Sequence, residues 1–343
     1  MPSEPPAGAH GARHRTGSEP LVLGAPPGSA EIVDGLARSG RCPAAIEVVT
    51  LLDDGSPPPG EAARVEAVWR RGRVDRSWVA RAVETIPALR WVHSDFAGVD
   101  GYPLSELQRR EILLTNGVGN FSRPMAEWVT LAVLAAAKRF PEVVRRSDAG
   151  RWSPAGTSEE LQGKVALLLG LGSVNASAAE LLSALGVEVR ALVRRDRPGG
   201  CPGVSRLLVG DAWRDHLADT DYLVLGLPLT AETTGIVGRE ALGALKAGAW
   251  LVNVARGPLV DEEALLDALE SGRLGGAVLD VFAEEPLPAG HPLWGRPNVV
   301  VVPHHTWSSP RAAANAEELF CHLVRAWTAG EEMSNVVDLT AGY

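Results

Sequence analysis

From Leu21 onward the chain alternates short apolar runs with stretches of helical periodicity. Leu21–Leu23 and Glu47–Leu52 read as strands with a helix near Ala30–Ser39 between them. Val65–Trp69, Leu89–His93 and Ile112–Thr115 read as further strands, and Ser77–Thr85 as a helix stopped by Ile86-Pro87. Strands alternating with helices specify a parallel sheet, because parallel neighbours need a crossover and a helix provides it. Pro124–Phe140 reads as one long helix whose centre, Trp128 to Ala137, is almost wholly apolar. A helix apolar all round is buried on more than one side. Its place, where the composition changes, points to a helix between domains or subunits.

A second alternating block follows Trp152. Val165–Leu169 is a five-residue apolar strand running into a glycine-rich turn, with a helix expected over Ala176–Leu185. Gly186 stops that helix and Val187–Val193 is the next strand. Tyr222–Leu225, Trp250–Asn253, Gly276–Leu279 and Val299–Val302 continue the pattern, with a helix over Glu262–Glu270. Residues 1–20 contain almost no large apolar side chain, so they are expected to form a mobile tail, and they lack the apolar core of a secretory signal.

Composition narrows the function. Apolar residues make up 45% of the 343 and charged residues 22%, as in an ordinary globular chain. A net charge of −9 disfavours nucleic acid or an anionic membrane as the main partner, because both need a basic face. No run of 18 apolar residues is present to span a bilayer. Cys42, Cys201 and Cys321 form no CxxC pair, so neither a disulfide framework nor a cysteine metal site is expected, and a cytoplasmic setting fits.

The turn Gly170-Leu171-Gly172-Ser173-Val174-Asn175 lies between a strand and a helix. That is the dinucleotide-binding arrangement with its last glycine replaced by Asn175. Gly170 would permit the tight turn and Gly172 would let the backbone, with Ser173 and Val174, approach a pyrophosphate at the helix N-terminus. Asn175 must find room or shift the helix. About 20 residues on, Arg194 and Arg195 suit a 2′-phosphate and favour NADP, while Asp196 keeps NAD open.

Three more strand ends carry chemistry: Asn253-Val254-Ala255-Arg256-Gly257, Leu279-Asp280-Val281-Phe282, and Val302-Pro303-His304-His305. Ligands of open parallel sheets collect at that edge. An arginine there can bind a carboxylate bidentately, and a histidine can move a proton near neutral pH. Together with Leu227-Pro228-Leu229-Thr230 and Glu285-Pro286-Leu287-Pro288, in this order, these segments resemble the D-isomer-specific 2-hydroxyacid dehydrogenases, in particular glyoxylate/hydroxypyruvate reductase-like members.

The resemblance implies an α/β protein with two Rossmann-like domains. A dinucleotide-binding domain over 119–305 would be inserted into a flavodoxin-like catalytic domain made of 21–118 and 306–343. It implies a homodimer that reduces a small-molecule 2-oxo acid to a D-2-hydroxy acid. Arg256 would hold the substrate carboxylate, His304 would protonate the carbonyl oxygen, and Glu285 would pair with His304. Backbone N–H groups of Ala97, Gly98 and Val99 would complete the carboxylate site. Pro228 and Ala255 would line the cofactor site, Asp280 would lie near the nicotinamide amide, and no metal is implied.

Several positions depart from the family pattern. Asn175 is one, Ala176 stands where many members have arginine, and His305-Thr306-Trp307 replaces a common Ile-Ala-Gly. Asp95 adds a negative charge to a loop expected to bind an anion, unless its side chain points away. Ser94, Ala97 and Glu285 argue against phosphoglycerate, phosphite and formate as substrates, respectively. Phe96, Met125 and Trp307 are candidates for an apolar pocket wall. Two alternatives stay open on this reading: a repurposed member with weakened cofactor binding, and a non-catalytic nucleotide-sensing protein like the C-terminal-binding corepressors.

Overall fold

The computed structural model describes residues 20–343 except 44, 73, 154 and 155. The stretch expected to be a tail lies outside the described residues apart from Pro20. The described chain divides into two compact units, one made of the residues up to Asn120 with Ala313–Tyr343, the other of Phe121–Ala312. Among the described residues no helix is long and apolar enough to cross a membrane.

The first unit is built on β1 (Leu21–Ala25), β2 (Ile46–Thr50), β3 (Ala67–Arg70), β4 (Trp91–Ser94) and β5 (Leu113–Thr115). They form one parallel sheet in the order β2-β1-β3-β4-β5, the flavodoxin-like arrangement. Leu21, Leu23, Trp69 and Trp91 pack on one face with Phe320, Leu323 and Val324 of the helix Pro310–Ala329. The Trp69 and Phe320 rings stack 3.8 Å apart and almost parallel. Val68 and Val92 pack on the other face with Trp78, Val79 and Val83 of the helix Arg76–Thr85.

The second unit is built on β6 (Val165–Leu169), β7 (Glu188–Val193), β8 (Arg206–Val209), β9 (Tyr222–Leu225), β10 (Ala249–Asn253), β11 (Leu274–Leu279) and β12 (Val299–Val301). These are parallel, in the order β12-β11-β10-β9-β6-β7-β8. The side-chain period of two explains why β6 is apolar throughout. Leu167 and Leu169 enter one core layer, and Ala166 and Leu168 enter the other. Strand order reverses between β6 and β9, which opens a crevice at their carboxyl ends.

The long helix differs from expectation. It spans Ser122–Ala137, and a separate helix runs over Phe140–Asp148. Arg139 between them has φ +53°. Pro141 is the physical reason, since it has no N–H to continue the ladder and is tolerated only in a helix's first turn. Ala126, Val129, Val133 and Ala136 are buried on one face, while Leu131 is 47% exposed on another. The helix after β6 begins at Ser173, three residues before the expected start, because Gly172 itself is the N-cap. The edge strand β8, the 3₁₀ segment Gly210–Asp219 and the short helices Leu104–Arg109 and Arg239–Ala244 had no clear periodic signal.

Candidate active site

The glycine-rich turn follows β6 at the reversal point. Gly170 has φ +90°, and a Cβ there would meet the Gly226 carbonyl oxygen at 2.8 Å. Gly172 has open space where a Cβ would sit. The helix starting at Ser173 carries no side-chain cap. Its first N–H groups and the positive end of its dipole therefore suit an anion, and a dinucleotide pyrophosphate fits that cradle. Asn175 is 1% exposed and its Nδ2 donates to the Gly170 carbonyl at 2.7 Å. Its Oδ1 is buried without a partner among the described residues. The room that Asn175 needs comes from Gly226, where any side chain would overlap the amide. Asn175 thus occupies the place of a close-packing glycine in a helix that starts at Ser173. Arg194 and Arg195 are exposed directly after β7, and Pro228 follows β9, its carbonyl accepting from Thr233 Oγ1 at 2.7 Å.

Arg256 is set by the end of β10. Asn253, 1% exposed, staples the turn: its Oδ1 accepts from Ala255 N–H at 3.0 Å and its Nδ2 donates to the Arg256 carbonyl at 2.9 Å. Gly257 is required next, because a Cβ there would overlap the Phe282 backbone. The Arg256 side chain is half-buried, with its Nη1 2.7 Å from the Ala255 carbonyl.

His304 sits in the left-handed region, φ +48°, just past β12. Its N–H donates to the Asp280 carbonyl at 3.0 Å, and its own carbonyl accepts from Trp307 Nε1 at 3.0 Å. Its Nδ1 lies 2.7 Å from Glu285 Oε2. Glu285 Oε1 accepts from Phe282 N–H at 3.0 Å, which fixes the carboxylate. Burial pushes the Glu285 carboxyl up, but hydrogen bonds from His304 and Phe282 and the nearby charges of His304 and Arg256 outweigh it, leaving the group below its ordinary range. Arg256, Glu285 and His304 are therefore electrically coupled within this unit. His305 is exposed, edge-on to Trp307 with ring centroids 6.4 Å apart.

Asp280 is 2% exposed at the end of β11. Its Oδ1 accepts from His305 N–H at 2.7 Å, and its Oδ2 accepts from Thr306 Oγ1 at 2.6 Å. Burial raises its carboxyl above the ordinary value despite those donors. The carboxylate thus clamps the segment that carries His304. Thr306, 1% exposed, is the residue that sequence reasoning treated only as a departure. Its one visible signal was a hydroxyl within a segment the family fills with apolar residues. Trp307 packs edge-on against Phe121, and Met125 packs against the core layer of Val129 and Leu168.

In the first unit, the loop after β4 is held by its carbonyls. Asn120 Nδ2 donates to the Asp95 carbonyl at 3.0 Å, Gly117 N–H to Phe96 at 3.1 Å and Asn116 Nδ2 to Ala97 at 2.9 Å. In a trans peptide the next N–H points opposite, so the N–H groups of Ala97 and Gly98 face away from residues 116–120. Val99 is buried and Ala97 exposed. The Asp95 side chain points inward, accepting from Trp69 Nε1 at 2.7 Å, so its charge is directed away from the loop's N–H groups. The Arg70 guanidinium lies 4.6 Å from the Phe96 ring centroid.

Comparison with known proteins agrees with the fold. Residues 130–306 match the family model of the D-isomer-specific 2-hydroxyacid dehydrogenase NAD-binding domain. A glyoxylate/hydroxypyruvate reductase B from Yersinia enterocolitica is 33% identical over 241 residues, covering 68% of this chain and 71% of that protein. A D-isomer-specific 2-hydroxyacid dehydrogenase from Xanthobacter autotrophicus Py2, solved with NADPH and MES, superimposes with a TM-score of 0.80. It is 32% identical, over 95% of this chain and 100% of the other. An NADPH-dependent glyoxylate/hydroxypyruvate reductase from Sinorhizobium meliloti, solved with NADP and sulfate, gives 0.79 at 27% identity, over 95% and 100% of the two chains. A glycine-rich turn at the strand reversal, with an arginine and a histidine–glutamate pair along the same sheet edge, thus occurs in a chain that belongs to the D-isomer-specific 2-hydroxyacid dehydrogenases, a family of oxidoreductases.

Proposed function

We propose that this enzyme reduces a small 2-oxo acid, of the glyoxylate and hydroxypyruvate class, to the D-2-hydroxy acid. The observation that carries the reading is the 2.7 Å contact between His304 Nδ1 and Glu285 Oε2, with Arg256 close enough to act on the same carboxylate electrostatically. Glu285 fixes the imidazole through Nδ1 and leaves Nε2 to deliver a proton to the substrate carbonyl oxygen. Arg256 binds the substrate carboxylate and draws charge toward the carbonyl oxygen. The N–H groups of Ala97 and Gly98, turned away from residues 116–120, and that of Val99 are neutral donors that suit a carboxylate. Asp280 acts through the segment it clamps and keeps His304 in place.

A bound reduced nicotinamide supplies the hydride. Gly170, Gly172, Ser173, Val174 and the Asn175 backbone would cradle its pyrophosphate. Pro228 and Ala255 would line its site, and Arg194 and Arg195 would take a 2′-phosphate. NADP is the favoured form, as in the two solved neighbours, which hold NADPH and NADP. The way Gly226 accommodates Asn175 removes the motive for reading the turn as disabled. We also propose a cytoplasmic homodimer. The exposed apolar side chains Leu131, Phe140, Val143 and Val144 support a second copy as the partner.

The test is a nicotinamide-fluorescence titration with NADPH and NADH, followed by turnover assays with glyoxylate, hydroxypyruvate, pyruvate and phenylpyruvate. Micromolar NADPH binding with turnover that Arg256→Ala abolishes is expected. Tight cofactor binding without turnover of any 2-oxo acid would overturn the reductase reading in favour of a nucleotide sensor.

A further inference from the structure

The loop after β4 takes its direction from a second segment of the first unit. Three consecutive carbonyls, those of Asp95, Phe96 and Ala97, are held by the residues that follow β5. The donors are Asn120 Nδ2 at 3.0 Å, Gly117 N–H at 3.1 Å and Asn116 Nδ2 at 2.9 Å. The two segments run so close that a Cβ on Gly117 would overlap the Asp95 carbonyl. With these carbonyls on one side, the trans peptides turn the Ala97 and Gly98 N–H groups to the other. Residues 116–120 lie beyond the end of β5 at Thr115, so that strand alone does not fix them.

The end of the chain fixes them. The segment after the helix Pro310–Ala329 runs antiparallel to β5, with Val336 opposite Thr115 and the Val337 N–H on the Leu114 carbonyl at 2.9 Å. Val337 is buried and Val336 is 50% exposed, the alternation of a strand. Val337 packs in the core layer that holds Leu114, Tyr102 and Val99. Asn335 closes this register although it lies 219 residues from Asn116 in the sequence. Its carbonyl accepts from Asn116 N–H at 3.0 Å. Its Nδ2 donates to the Asn116 carbonyl at 3.0 Å and to the Val118 carbonyl at 2.8 Å. Its φ is +56°, a left-handed conformation that asparagine adopts more readily than most side chains. Glycine would supply that backbone without the donors, and aspartate would supply the shape without them.

We infer that Asn335 is a positioning residue for substrate binding. It clamps residues 116–118, and through the Asn116 amide on the Ala97 carbonyl it aims the N–H groups of Ala97 and Gly98 at a substrate carboxylate. The inference rests on the carboxylate role proposed above for that loop. Asn335 acts through Asn116 and its neighbours, so its loss lowers substrate affinity. The proton-transfer pair, His304 and Glu285, and the glycine-rich turn belong to the other unit, so kcat and cofactor affinity stay.

The experiment compares the full-length wild type with Asn335→Gly and Asn335→Asp. The first keeps the left-handed backbone and loses both amide bonds. The second sets a carboxylate against two carbonyl oxygens. Steady-state kinetics with glyoxylate should show KM raised roughly tenfold in Asn335→Gly, the scale of one or two lost hydrogen bonds, and further in Asn335→Asp. The kcat and the NADPH dissociation constant should stay near wild type. An unchanged KM, with or without a fall in kcat, would overturn the positioning role. Amide hydrogen exchange read by mass spectrometry follows the loop without turnover. Peptides covering 95–100 should exchange faster in both variants while those covering β1 and β3 stay protected. Unchanged exchange at 95–100, or equally faster exchange throughout the unit, would overturn the clamp. A wild type that turns over no 2-oxo acid would sink the proposed reaction instead, and the exchange comparison would still decide the clamp.

Discussion

Asn175 and Gly226 are fitted to each other. The buried Asn175 amide lies where a Gly226 side chain would be, and it ties off the Gly170 carbonyl at 2.7 Å. The close packing that the third glycine of a dinucleotide turn normally supplies on the helix has been transferred to the neighbouring strand end.

Gly226→Ala should therefore destabilise the protein by about 1–3 kcal/mol, the usual cost of overpacking, and weaken NADPH binding through Gly170. In an Asn175→Gly background the same substitution should cost much less, because the clashing amide is gone. Unfolding midpoints and NADPH titrations of the two single variants and the double variant measure the coupling. Additive effects would show that the two residues do not share the space.

His304 is the histidine paired with a fixed carboxylate, and His305 is exposed beside Trp307. His304→Ala should lower kcat for 2-oxo acid reduction by at least roughly 10²-fold, the lower end for a general acid, while His305→Ala should cost far less. Because the His304 and Phe282 hydrogen bonds hold Glu285 below the ordinary carboxylate range, the carboxylate half of the pair is present throughout and above that range and is lost only in more acid solution. Wild-type activity should not show a Glu285 inflection between pH 5 and 8. Near-normal turnover by His304→Ala would sink the assignment.

Thr306→Val keeps the volume and removes the hydroxyl that donates to Asp280 Oδ2 at 2.6 Å. A buried carboxylate short of a donor costs about 1–3 kcal/mol. We expect a lower unfolding midpoint and a fall in kcat/KM carried mostly by kcat, since the His304 segment loosens while Arg256, the proposed carboxylate ligand, stays. An unchanged kcat with a raised KM would place the effect on substrate binding instead.

His93 and Asp95 make opposite demands on pH. Burial drives His93 down to about 3 and Asp95 up to about 6. Trp69, Arg70 and Arg71 hold Asp95 back and Glu317 pushes it further. For His93, folding favours the neutral ring, so stability rises with pH from about 3 to 6.5. For Asp95, folding favours the neutral acid, so stability falls as pH rises from about 4 to 6. The two slopes oppose each other over pH 4–6, each about 1.4 kcal/mol per pH unit at full effect. Asp95→Asn should expose the His93 slope and lose stability toward pH 4, and His93→Gln should show the reverse. Unfolding midpoints at pH 4, 5, 6 and 7 decide it, and parallel curves for both variants would contradict the burial argument.

The sequence by itself determined the fold class and the family. Alternation of Ala166, Leu167, Leu168 and Leu169 between two core layers demands a strand covered on both faces, and strand periodicity is a local property of the chain. Arg256, Asp280 and His304 were legible because each follows such a strand, where a parallel sheet gathers its ligands. The break before Phe140 was legible too, in Pro141, but the apolar run around it masked the signal. Only the tertiary structure decided the rest. The fit of Asn175 over Gly226, the clamp of Thr306 on Asp280 and the inward turn of Asp95 onto Trp69 each join residues from separate segments. Packing and hydrogen bonding across such separations leave no periodicity in the chain. They depend on which strand ends and helix faces the folded sheets bring together.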